Sequence, residues 1–157
     1  LRYAMKKGRF KRNWPIILFG IIVFIFSFYF KISPKSLKNF TDIMSASLSF
    51  SAIVTAIFFA SFSLIPTSGS NKLVVMMEDL GTEIKIMDRL LVATFLSFIS
   101  SLLSFISLFF SKTDTDLISI LVVSSWLSST VMMFLSSFFV LRTLILLVET
   151  YNNFKNK

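Results

Sequence analysis

Four long apolar blocks, separated by short polar stretches, set the pattern of this chain. They run from about residue 14 to 30, 42 to 64, 90 to 111 and 117 to 141. A helix needs about 20 mostly apolar residues to cross about 30 Å of hydrocarbon, and the four blocks approach or meet that length. The pattern predicts an all-α membrane protein with four transmembrane helices in a bundle. It also predicts a single four-span domain over residues 14–157, preceded by a basic segment at 1–13.

The third block, LLVATFLSFISSLLSFISLFF, has a finer pattern. Ala93, Ser97, Ser100, Ser104, Ser107 and Ser111 recur in steps of 4, 3, 4, 3 and 4. On a helix turning about 100° per residue they draw a stripe roughly 80° wide. Phe95, Phe98, Leu102, Phe105 and Phe109 fall opposite it. Lipid supplies no hydrophobic drive between helices, so small residues matter because they let backbones approach closely. The stripe is therefore a candidate helix-packing face, serving the protomer's own core, or else a contact between protomers or the lining of a wet path. The second block carries a similar row at Ser45, Ser49, Ala52, Ala56 and Ser63, with Ser47, Ser51 and Thr55 beside it.

Local signals place the boundaries. Pro15 suits a helix start, where its missing N–H is not needed. Thr41 or Asp42 can cap the second helix. The turn-rich PTSGSN leads into KLVVMMEDL, which reads as a short amphipathic helix over residues 72–80 ending at Gly81. Thr82 then caps a third helix that runs to Ser111. KTDTD forms a hairpin before the fourth helix, which continues past Arg142 through TLILLVETYNNF. The third and fourth helices should thus project into the cytoplasm.

Composition agrees with this class. The chain is 55% hydrophobic with a mean hydropathy of +0.80, and only 15% of its residues are charged, against about 25% in a soluble domain. The net charge of +8 makes nucleic acid a conceivable partner. In a membrane protein it is better read as basic flanks that set orientation, so direct nucleic-acid contact is the weaker reading. Lys6, Lys7, Arg9, Lys11 and Arg12 then touch lipid headgroups, and Arg142 snorkels to them. Twelve of the 16 Lys and Arg residues lie in the N-terminal segment, the loop between the second and third blocks, and the C-terminal end. This asymmetry puts both termini and the loop between the second and third blocks in the cytoplasm, and four spans satisfy that parity.

Much chemistry is excluded. There is no histidine and no cysteine. The usual general base, the commonest metal ligand and thiolate catalysis are therefore absent, and the many serines have no base to activate them. No Gly-rich phosphate loop or G-x-S-x-G motif occurs. Glu78, Asp79, Glu83 and Asp88 alternate with Lys85 and Arg89, and read as a solvated, salt-bridged surface rather than a cation site. The expectation is a non-enzymatic protein with no cofactor and no metal. An oligomeric module that senses, perturbs or perforates the bilayer, or an anchor for a cytosolic protein, fits better than a solute transporter, whose spans usually carry ionisable groups.

The basic N-terminus, the four spans, the cytoplasmic loop between spans two and three, and TEIKIMDRLLVATFLSFISSLL leading into span three carry a resemblance. In this architecture the chain resembles the small four-helix membrane subunits of bacterial anti-phage defence systems. The Kiwa membrane subunit is the nearest in kind, and the four-helix effectors of nucleotide-signalled systems are similar. The resemblance implies a homo-oligomer, taken as a tetramer, that responds to phage at the bacterial inner membrane and works with a cytosolic DNA-binding partner.

Overall fold

A computed structural model describes residues 2–64 and 83–155. All regular structure among the described residues is helical. The helices are α1 (Arg2–Tyr29), α2 (Phe40–Leu64), α3 (Glu83–Ser107) and α4 (Leu117–Lys155), with a 3-10 turn at Pro34–Ser36. Three stretches are long and apolar enough to cross a bilayer: Phe40–Ser61, Ile86–Ser107 and Leu117–Leu146. Asn13–Tyr29 is a shorter apolar helix. The expected short helix over residues 72–80 and its flanking caps lie outside the described residues.

Several boundaries differ from those read in the sequence. α1 begins at Arg2 rather than Trp14, so the basic segment is helical and Pro15 lies inside the helix instead of at its start. Lys and Arg are good helix formers, and the loss of one i→i−4 bond at Pro15 does not stop the helix. The cap of α2 is Asn39, not Thr41 or Asp42. Asn39 adopts a left-handed φ of 59°, which Asn tolerates, and its carbonyl accepts the N–H of Ile43 at 3.1 Å. α3 stops at Ser107, four residues before Ser111. There the bonding tightens to the three-residue spacing, with Leu108 N donating to Phe105 O and Phe110 N to Ser107 O. α4 runs unbroken through Arg142 for 39 residues, about 58 Å at about 1.5 Å per residue.

The end of α1 is closed by a Schellman arrangement. Ile32 N donates to Ser27 O at 3.1 Å and Lys31 N to Phe28 O at 3.1 Å. Lys31 takes the left-handed position with φ 50°, a place where glycine is the usual occupant.

α3 and α4 form a central antiparallel pair. α2 packs along α3 and α1 along α4, while α1 and α3 meet only marginally. On α4, Trp126 and Phe134 meet α2, whereas Ser128 and Met132 meet α1. At about 100° per residue these pairs lie on opposite faces of α4, so α1 and α2 flank the central pair on opposite sides. The segment joining them must therefore cross α4. It does so with Pro34 buried, and with Ile32 and Leu37 packed on a core of Phe40, Met44, Val123 and Trp126. A second core at the other end joins Ile86, Leu90 and Ala93 to Val140, with Phe58 against it. Outside, large apolar side chains stand exposed on all four helices. An apolar surface this extensive suits a helical membrane bundle rather than a body surrounded by water.

Candidate functional site

The small-residue stripe of α3 lies in the interior, between α2 and α4. Ala93, Ser97, Ser100, Ser104 and Ser107 are fully buried, and Phe95, Phe98, Leu102 and Phe105 are exposed on the opposite face. Ser111 departs from the stripe. It is exposed beyond the end of α3, where its backbone N–H bonds the Asp114 carboxylate at 2.8 Å. The physical reason is the early end of the helix: past Ser107 the 3.6-residue period that aligned Ser111 with the others no longer applies.

The stripe is bonded across helices at three levels. At the first, Thr55 Oγ1 of α2 donates to Ser97 Oγ at 2.9 Å, and Ser97 donates to Thr94 O at 2.9 Å. At the second, Ser100 and Thr130 of α4 share a hydrogen bond at 3.0 Å. The third is a relay. Trp126 Nε1 donates to Ser47 Oγ at 2.9 Å, Ser47 lies 2.9 Å from Ser104 Oγ, and Ser104 donates to Ser100 O at 2.9 Å. Ser107 closes on Leu103 O of its own helix at 2.7 Å. Back-bonding of this kind satisfies a hydroxyl within its own helix. α2 turns Ser47, Ser51 and Thr55 towards this network. Its other small row, at Ser45, Ser49, Ala52 and Ala56, faces outward and is exposed.

A second polar group sits at the end where α1 approaches α3. Asp88 is 0% exposed, and Asn13 of α1, itself buried, donates its side-chain N–H to Asp88 Oδ2 at 3.4 Å. The neighbouring Arg89 reaches the other way. Its guanidinium donates to Phe139 O at 3.3 Å and to the Thr143 hydroxyl, and lies 5.7 Å from the centre of the Phe139 ring. Adjacent residues of α3 thereby tie down α1 and α4. At Asp88 this corrects the expectation of a solvated acidic surface, because α1 extends back far enough to cover it; Glu78, Asp79 and the side chain of Glu83 lie outside the described residues. The available signal was Asn13, which shares a seven-residue spacing with Gly20 and Ser27 on the buried face of α1.

Arg142 is exposed. Lys6, Lys7, Arg9, Lys11 and Arg12 belong to the first turns of α1, but their side chains lie outside the described residues. Among the described residues no group of three or more His, Cys, Asp or Glu side chains could hold a metal ion. A groove of about 390 Å³ lies between α2 and α3, lined by Thr55, Phe59, Leu91, Thr94, Phe95 and Phe98. Thr94 is already bonded to Leu90 O, so the lining offers hydrocarbon rather than polar contact.

No protein-family model, curated protein or solved structure matches this chain.

Proposed function

We propose that this protein is a non-enzymatic, four-span protein of a bacterial inner membrane that couples a cytosolic partner to the bilayer. In this reading both termini and the stretch between α2 and α3 are cytoplasmic, and the far end of α4 stands beyond the membrane as the coupling element. The observation that carries the proposal is the contrast between inside and outside. The hydroxyls of the stripe between α2, α3 and α4 bond across helices or back to carbonyls, whereas the exterior is apolar on all four helices. This interior suits a rigid membrane scaffold better than a solute path within one protomer. The length of α4, about 58 Å against a hydrocarbon core of about 30 Å, supports a projection towards a partner.

The resemblance to anti-phage membrane subunits supports a place in a bacterial defence system, acting as a homo-oligomer, taken as a tetramer, that senses or perturbs the membrane. A pore, in that reading, forms between protomers.

Topology is tested by single-cysteine labelling, for which the chain's lack of native cysteine is convenient. Thr113→Cys should react with an impermeant maleimide from the periplasmic side; reaction from the cytoplasmic side alone rejects the orientation. Coupling is tested by removing residues 147–157 in cells that carry the chain with its neighbouring genes. Membrane insertion should persist while protection against phage is lost. Unchanged protection rejects α4 as the coupling element.

A further inference from the structure

Two buried hydroxyls, one on α1 and one on α4, stand apart from the bonded serines of the interior. Ser27 of α1 and Ser124 of α4 are fully buried, and neither Oγ has a hydrogen-bond partner among the described residues. Other buried serines of α4 differ: Ser128 donates to Gly20 O at 2.7 Å and Ser129 to Trp126 O at 2.9 Å.

The two orphans share one seam. α1 faces α4 at Gly20, where a Cβ would stand 2.2 Å from Met132 Sδ, and Ser27, seven residues on, lies on the same buried face of α1. The Ser128–Gly20 bond sets the register of this antiparallel pair. From that level Ser27 lies about 10.5 Å along α1, and Ser124 lies about 6 Å along α4 in the same direction. By this count their levels differ by about 4.5 Å, less than one helical turn, so the two unpartnered hydroxyls occupy neighbouring levels of the seam. Ser27 belongs to the closing turn of α1, where its carbonyl accepts from Ile32 N at 3.1 Å.

We propose that Ser27 and Ser124 bind a single buried water where the connector passes over the α1–α4 seam. Two hydroxyls, each both donor and acceptor, supply the minimum of about two polar partners such a water needs. The water joins α1 to α4 near the α1 terminus and complements the Ser128–Gly20 bond.

The test uses the full chain in lipid bilayers and water-edited solid-state NMR. Magnetisation from water should reach Ser27 and Ser124, and should be lost at Ser124 in Ser27→Ala and at Ser27 in Ser124→Ala. No transfer to either serine in the parent, or transfer to one that survives removal of the other, overturns the proposal. Thermal unfolding provides a second arm. Each single alanine variant should lower the midpoint by about 2–4 °C, and the double variant by no more than the larger single shift. Additive shifts, or single variants with unchanged or raised midpoints, would mean that each hydroxyl turns back to a carbonyl of its own helix, and would also overturn it.

Discussion

Replacing Ser47 by alanine isolates the relay that joins three helices. Ser47 Oγ accepts from Trp126 Nε1 and pairs with Ser104 Oγ, each at 2.9 Å. The two losses are unequal. Ser104 keeps its bond to Ser100 O, so its share is a cross-helix hydrogen bond of the kind worth about 0.6 kcal/mol in membrane proteins. Trp126 is only 6% exposed. Its N–H, left without this acceptor in an apolar core, costs about 1–3 kcal/mol. The methyl of alanine occupies nearly the same space, so a cavity term is small. The expected destabilisation is about 1.5–3.5 kcal/mol. The assay is reversible unfolding in micelles, followed by tryptophan emission in a Trp14→Phe background so that Trp126 alone reports. Native-state emission should shift to shorter wavelength as the indole loses its polar partner. Ser45→Ala, on the outward face of the same helix, is the control and should stay within about 0.5 kcal/mol of the parent. If Ser47→Ala matches that control in both stability and emission, the relay does not hold the interior together.

Three further outcomes follow from the geometry. Lys31→Gly should stabilise the protein by about 0.5–1 kcal/mol in the same assay, because it relieves a left-handed residue that costs about 1–2 kcal/mol and gives back part of that in chain entropy; a loss of stability would show that the Lys31 side chain contributes more than its backbone costs. Ser97→Leu, fully buried between α2 and α3, should destabilise by about 1–3 kcal/mol through overpacking, whereas Phe98→Leu on the exposed face should be tolerated; equal effects would mean the stripe is not the packed face. Arg89→Lys should cost about 1–2 kcal/mol despite keeping the charge, since a lysine cannot reproduce the guanidinium's bonds to Phe139 O and Thr143 together with its place over the ring; a neutral result would remove Arg89 as the α3–α4 tie.

The class of the protein and the inward face of its third helix were legible in the chain, for the same reason. Both rest on periodicity, and the 3.6-residue repeat is a local property that survives whatever the helix packs against. Ala93, Ser97, Ser100, Ser104 and Ser107 share one side of any helix built from them, and the phenylalanines share the other. Composition likewise determines that this exterior is hydrocarbon-like and that no histidine or thiol chemistry is available. What periodicity could not supply was the stop at Ser107, which depends on the hydrogen bonds of the following turn and takes Ser111 out of line.

Tertiary structure decided the rest. On α2 the two small rows, Ser45–Ser49–Ala52–Ala56 and Ser47–Ser51–Thr55, are equally plausible packing faces in sequence; only the placement of α3 and α4 selects the second and leaves the first exposed. Asp88 reads as solvated from its charged neighbours, and becomes buried because Asn13 on α1, 75 positions earlier, is brought over it. The arrangement of the helices follows from the same kind of long-range choice. A sequence specifies which stripe of a helix avoids lipid, but the neighbour that covers the stripe is set by crossing geometry, by the close approach at Gly20, and by a connector that must pass over α4 to join helices on its opposite sides.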